Sequence, residues 1–256
     1  MLPFPIVTPW ICGVNLVMER GMTGATGNFY CGLHEFTDMS LLIHYLSGSQ
    51  RADESTVFVD AGANIGSFSL LAAGIGQAHV LAIEPAPQTM KRLARNITLN
   101  GFGNLVKLHQ CALGETDSSI RFSVDKDTMN SVVDSSYAGE WLDVPVRTLD
   151  SLTEGLKVNM LKIDVEGFEE SVLHGATQTL NNANLKIVLL EGDNDQIRAT
   201  MKCNGFIRMG YDPFTRRFRR IEDINDGNNN IWIRDFDEVE RKCHSAPRVE
   251  VYGFEI

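Results

Sequence analysis

The sequence predicts an α/β fold, a mostly parallel sheet with helices on both faces. Three observations carry this. Short apolar runs alternate with segments of helical periodicity between Val57 and Cys203. The first two of these runs, Val57-Phe-Val-Asp60 and His79-Val-Leu-Ala-Ile-Glu84, each stop at an acid, and a glycine turn, Gly62-Ala-Asn-Ile-Gly66, follows the first. The chain has 256 residues, 43% hydrophobic and 22% charged, enough to bury a sizeable core without disulfides or metals.

Residues 1–35, rich in Gly and Pro, read as a flap or hairpin. Met39, Leu42, Ile43 and Leu46 fall on one face of a helix over 35–46, with Thr37 or Asp38 as N-cap. A polar linker covers 47–55. The strand at 57–60 leads through the glycine turn to a helix over 67–73, then to the strand at 79–84. Pro85 and Pro87 suit a helix start, Met90, Leu93, Ala94 and Ile97 share its apolar face, and Asn100-Gly101 stops it. A third strand spans 105–112. The more polar stretch 115–149 holds alternating runs at 120–124 and 144–146, with a loop over 126–141. A strand at 160–165, a helix over 168–180 interrupted at Gly175, a strand at 185–191 and a helix over 196–203 follow. Residues 206–233 read as antiparallel strands and 234–256 as a weakly patterned tail. The expected division is an N-terminal flap or cap (1–46), a main domain (47–233) and a C-terminal tail (234–256).

With 33 acidic against 23 basic residues, the formal charge is −10. Long nucleic acid is bound by basic faces that neutralise phosphates, so that class is disfavoured. No apolar stretch approaches the roughly 18 residues of a membrane span. No Lys or Arg precedes Arg20 and three prolines interrupt the first ten residues, unlike a secretory signal. The cysteines at 12, 31, 111, 203 and 243 form no Cys-x-x-Cys pair, so neither a zinc knuckle nor a disulfide frame is encoded. A cytoplasmic protein is the expectation. No His-Glu-x-x-His and no clustered Asp-Asp argues for a metal, and no metal site is expected. No Asn/Asp-Pro-Pro-Tyr/Phe/Trp run, the signature of methylation at nucleic-acid base amino groups, is present.

The turn Asp60-Ala-Gly62-Ala-Asn64-Ile-Gly66 has neither the Gly-x-Gly-x-x-Gly spacing of dinucleotide folds nor the P-loop pattern. Its glycines permit positive φ and close ligand approach. An acid directly before the turn repels phosphate and suits a cation, and Glu84 is placed to accept hydrogen bonds from ribose hydroxyls. Acid, glycine turn and second acid suit S-adenosylmethionine, which carries a ribose, an ammonium and a sulfonium and no phosphate.

The run Val57-Phe-Val-Asp-Ala-Gly-Ala-Asn-Ile-Gly-Ser-Phe68 resembles the first motif of class I methyltransferases, specifically the FkbM type. Ala82-Ile-Glu-Pro-Ala-Pro87, Asn96-Ile-Thr-Leu-Asn-Gly101, Cys111-Ala-Leu-Gly114 and Leu161-Lys-Ile-Asp-Val-Glu-Gly167 agree, the last being the most specific together with Val172-Leu-His-Gly-Ala176. Gly32-Leu-His-Glu-Phe36 and Tyr211-Asp-Pro-Phe-Thr-Arg216 are similar to the family as well, so the resemblance covers roughly residues 30–233. It implies a Rossmann-like fold with a seven-stranded sheet and one antiparallel strand near the C-terminus. It implies S-adenosylmethionine across the strand tips, with S-adenosylhomocysteine as product. Asp60, Gly62, Asn64 and Gly66 would line the methionine part, Glu84 would hold the ribose with Pro85 beside it, and Cys111 and Ala112 would flank the adenine. Asp164 would also border this ligand.

A buried parallel strand should be apolar on both faces. Leu161-Lys162-Ile163-Asp164-Val165-Glu166 alternates instead, so three ionisable groups would point one way. Such a row is costly in a core unless paired or wet. A cleft at the strand's end resolves this, and so does a structural Lys162 ion pair with Asp164 or Glu166. A mixed reading has Lys162 orienting a carboxylate that faces the substrate. Methyl transfer to an alcohol needs alignment and a base. Asp164 and Glu166 are the first candidates and His34 is next, while Glu191 could line the same cleft. His79, His109, His174 and His244 are read as structural.

The resemblance implies an O-methyltransferase acting on a small-molecule or glycan hydroxyl of a sugar or secondary metabolite, with the flap and the 126–141 loop as pocket and lid. Arg208, Arg216, Arg217, Arg219 and Arg220, interleaved with Phe214 and Phe218, read either as a solvated hairpin balanced by Glu222 and Asp223 or as a clamp for an anionic acceptor such as a phosphorylated sugar. The competing class is a non-catalytic S-adenosylmethionine- or nucleoside-binding interaction module, which would have no need for the Lys162-Asp164-Glu166 row.

Overall fold

The computed structural model describes residues 4–19, 22–48, 56–123, 132–133, 137–221 and 229–256. The chain opens with an antiparallel hairpin, β1 (Ile6–Pro9) and β2 (Asn15–Met18). Helices α1 (Thr23–Cys31) and α2 (Phe36–Ser47) follow, and α1 replaces part of the flap or hairpin expected over 1–35. Neither Thr37 nor Asp38 caps α2. Its N-cap is Glu35, because Asp38 is committed elsewhere, accepting a hydrogen bond from Asn229 at 3.0 Å.

The main sheet begins with β3 (Val57–Ala61), and α3 (Ser67–Gly74), β4 (His79–Ile83), α4 (Pro87–Leu99) and β5 (Val106–His109) continue it. Three short strands form a separate sheet: β6 (Ala112–Leu113), β7 (Ser118–Ser123) and β8 (Trp141–Arg147), in the order β6-β8-β7. After α5 (Leu149–Thr153) the main sheet resumes with β9 (Val158–Ile163), α6 (Glu169–His174), α7 (Thr177–Asn181), β10 (Ile187–Leu190) and α8 (Asp195–Cys203). It closes with β11 (Ile207–Asp212), β12 (Arg217–Arg220) and β13 (Asn230–Ile233). The strand order is β12-β11-β13-β10-β9-β3-β4-β5. β5, β4, β3, β9 and β10 run parallel, while β13 is antiparallel to both β10 and β11. The seven strands expected are present, and β12 adds an eighth at the edge as the return arm of a hairpin with β11.

The central strands are buried on both faces, as their continuous apolar runs require. Phe58, Val80, Met160 and Leu189 pack on one side, and Val59, Leu81, Leu161 and Val188 on the other. Helix α2 packs between α3 and α9 (Phe236–Ser245), and α5 to α8 cover the opposite face. Residues 234–256 are no loose tail. They form α9 and the hairpin β14 (Glu250–Val251) and β15 (Phe254–Glu255), and Val239, Cys243, Val251 and Ile256 join the apolar cluster that also holds Trp10, Leu16 and Leu42.

Candidate functional site at the strand tips

Side chains beyond the C-terminal ends of the parallel strands enclose a cavity of about 580 Å³. Each of three strands delivers a carboxylate one residue past its last ladder position, through a backbone bond to its neighbour. Glu84 N–H bonds His109 O at 3.1 Å, Asp164 N–H bonds Ala61 O at 3.0 Å, and Glu191 N–H bonds Ile163 O at 2.9 Å. Asp60, inside β3, is opposite Lys162 in register. Ligands of open α/β sheets bind at this end.

Gly62 turns the chain at φ 81°, and the N–H groups of Gly62 and Ala63 both reach Ile83 O. Glu84 is buried and ties the turn down, accepting from Asn64 N–H at 3.0 Å and Ala86 N–H at 2.9 Å. Burial pushes its carboxyl up to about 7 despite those two bonds. Asp60, 1% exposed, accepts from Ser69 Oγ at 2.6 Å, while its other oxygen has no hydrogen-bond partner. Burial raises it to about 6, against the pull of Lys162. Pro85, Cys111 and Ala112 border the same cavity, and burial raises the Cys111 thiol to about 11. Gly66 does not reach the lining. It starts α3 at φ 93°, and a Cβ there would stand 2.4 Å from Leu93 Cδ1, so its place is set by helix packing.

Strand β9 ends at Ile163, so the expected row of three in-strand ionisable groups is not formed. Lys162 alone belongs to the strand. It is 2% exposed, with Nζ 2.5 Å from Asp164 Oδ2 and 4.7 Å from the Phe68 ring centroid. Burial disfavours its charge, but Asp164, Glu35 and Asp60 outweigh that and raise its pKa. Asp164 feels the reverse. Burial opposes its ionisation, and the Lys162 ammonium with a hydrogen bond to Glu191 brings it below the ordinary range. Glu191, holding the other end of that bond beside further carboxylates, is pushed up to about 8. Glu166 lies on a left-handed turn, φ 55°, where burial and Asp164 raise its pKa. His34 sits at the exposed rim with its ring over Gly27, where a Cβ would stand 2.6 Å from Nδ1.

Three participants were not singled out from sequence. Glu169 Oε1 accepts from Val165 N–H at 3.2 Å and Gly167 N–H at 3.0 Å, bending the chain after Asp164. Asn229 donates to Glu35 Oε2 at 2.7 Å and to Asp38 Oδ2, and all three line the cleft. Asn28 donates to Ser67 Oγ and accepts His34 N–H. Only Glu169 left a local trace, as an acid just past a Glu-Gly turn. Asn96, in one of the motif stretches, has a structural place: it accepts Val17 N–H at 3.0 Å and donates to Ile65 O at 2.9 Å, joining the hairpin to the glycine turn.

The arginine segment does not reach the cleft. Arg216 is buried, donating to the carbonyls of Cys243, Ala246, Pro247 and Ile256. Arg208 binds Asp193 at 3.0 Å, and Arg217, Arg219 and Arg220 are exposed on edge strand β12. Glu222 and Asp223 lie outside the described residues, as does most of the expected 126–141 loop; Val132 borders the cavity and pairs with Phe122. Among the described residues, no group of three or more His, Cys, Asp or Glu is arranged to hold a metal, and no helix is long and apolar enough to cross a membrane.

Residues 60–211 match the family model described as the methyltransferase FkbM domain. The chain is 32% identical over 182 residues to Methyltransferase 1 of Beauveria bassiana, covering 60% of this chain and 73% of that protein. It is 31% identical over 151 residues to the hexuronic acid methyltransferase AglP of Haloferax volcanii, covering 57% of this chain and 60% of that protein, less than two thirds of its length. Among solved structures it is similar to the N-terminal domain of human METTL16 in complex with SAH, with TM-score 0.45, 13% identity, and coverage of 89% of this chain and 86% of that one.

Proposed function

This chain belongs to the FkbM methyltransferase family and is a methyltransferase, and on that premise we propose that it uses S-adenosylmethionine to methylate a hydroxyl of a sugar, glycan or secondary metabolite. The observation that carries the donor is the acid-rich cleft. Asp60, Glu84, Asp164 and Glu191 face it, and the only lysine or arginine among the described lining residues, Lys162, is spent on Asp164. That wall suits ribose hydroxyls, an ammonium and a sulfonium, and disfavours phosphate. The free lone pairs of Glu84 are acceptors for such donors. The bound donor supplies an electrophilic methyl group.

Lys162 holds Asp164 in place, Glu84 fixes the turn at Asn64, and the Glu35–Asn229–Asp38 bridge walls the acceptor side. Their work is to align acceptor and methyl carbon and to exclude water. The likeness to the hexuronic acid methyltransferase of Haloferax volcanii favours a sugar acceptor. An anionic acceptor finds little support here, since among the described residues no arginine lines the cleft and Arg208, which comes nearest through Asp193, is paired with it.

Calorimetric titration with S-adenosylmethionine, S-adenosylhomocysteine and NAD tests the donor. Tight binding of the homocysteine product and none of NAD is expected; binding of NAD alone would sink the reading. Labelled methyl donor offered to separate sugar and non-sugar alcohols tests the acceptor.

A further inference from the structure

Two of the three strand-tip carboxylates, Asp164 and Glu191, follow neighbouring parallel strands, and one of them is already spoken for. Asp164 has one oxygen on the Lys162 ammonium at 2.5 Å. Lys162 is enclosed between Asp164 and the Phe68 ring. A carboxylate clamped in this way is a poor proton acceptor, since taking a proton would leave a buried ammonium unpaired. Glu84 is no better placed, with both oxygens on backbone N–H groups. Asp60 lies behind, 1% exposed. Glu191 lines the cleft and is exposed.

We infer that Glu191 is the residue that takes the acceptor's proton, with Asp164 and Lys162 as positioning residues behind it; this rests on the methyl-transfer reading above. The new bond joins the acceptor oxygen to the methyl carbon. The bond broken is the donor's carbon–sulfur bond, whose electron pair stays on sulfur. The hydroxyl proton passes to ionised Glu191 and then to solvent, leaving a methyl ether. The groups facing Glu191 are carboxylates, Asp164, Glu166 and Glu169, with Lys162 beyond Asp164. The nearby Asp193 carboxylate is turned to Arg198 and Arg208. This surrounding favours the protonated form at neutral pH, so turnover climbs as pH rises through about 8.

The test joins carboxyl-carbon NMR of the S-adenosylhomocysteine-bound protein, from about pH 5 to 10, with transfer of labelled methyl to a pool of monosaccharides and methyl glycosides. A glutamate signal titrating above the ordinary range is expected, absent from Glu191→Gln and moved downward in Asp164→Asn. Methyl transfer by Glu191→Gln, compared with wild type at saturating donor, falls at least ~100-fold. Transfer at the wild-type rate in Glu191→Gln, or an unchanged set of titrating carboxyls, overturns the assignment. Failure of the wild-type protein to bind S-adenosylhomocysteine overturns the underlying reading and this assignment together. Should Asp164→Asn not fold, Glu191→Gln alone decides, since its side chain lies at the rim.

Discussion

Gly62 faces the backbone carbonyl of Asp164 so closely that a Cβ at residue 62 would stand 1.7 Å from that oxygen. The glycine turn after β3 and the acidic turn after β9 are therefore one unit of structure. The glycine is demanded by this contact and by its φ of 81°, before any ligand is considered.

Gly62→Ala must push the two turns apart. A loss of stability of about 2 kcal/mol or more is expected from overpacking and the positive φ, together with weakened binding of S-adenosylhomocysteine. Thermal melts with and without the product would measure both. A variant as stable as wild type would show that the turns separate freely.

Raised carboxyls make the ligand-free protein less stable as pH rises. Glu84 goes from an ordinary 4.5 to about 7 and Glu191 from 4.5 to about 8, so in those windows the folded state binds more protons than the unfolded. Their stabilising effect is complete below 4.5 and lost through the folded values. His44, lowered from 6.5 to about 4 chiefly by burial, works oppositely below 6.5. Between pH 6.5 and 8 the melting temperature should therefore fall, and Glu84→Gln should flatten the lower part of that slope. A wild-type melting temperature that rises across this window would contradict the burial argument.

Arg216 and its neighbours on β12 should separate cleanly. Arg216→Ala removes four hydrogen bonds to main-chain oxygens, three of them buried, and costs ~3 kcal/mol or more in chemical denaturation. Arg217→Ala and Arg219→Ala, at exposed positions, should change stability by no more than about 0.5 kcal/mol and leave product binding intact. Loss of methyl transfer in the latter two, with stability unchanged, would restore the clamp reading.

Lys162→Met and Asp164→Asn, singly and together, form a thermodynamic cycle on a pair of which Lys162 is the buried member. Asp164→Asn leaves the buried Lys162 ammonium alone and should cost about 3 kcal/mol or more, and Lys162→Met, which leaves the half-buried Asp164, should cost less. The double variant should recover part of that loss, with a coupling of ~1 kcal/mol or more. Additive losses would mean that the two groups act independently.

Much of the fold was legible because its signals are local. The acids ending β3 and β4, the turn at Gly62 and the stop at Gly101 could each be read within a few residues. Helix α9 left a fainter trace: Val239 and Cys243 are its only buried residues, too few to stand out in a polar segment. Helix α1 had no apolar stripe to reveal it.

The sequence by itself determined the order of the parallel strands and of most helices between them, and which carboxylates would arrive at the sheet's rim, since side-chain alternation and helical periodicity are properties of neighbours along the chain. Only the tertiary structure decided how those charges are spent: Lys162 on Asp164, Arg216 on the last residues, Asn229 on Glu35 across a separation of 194 positions. The energy of a buried charge depends on what stands within a few ångströms of it, and that is set by which distant segments the core brings together.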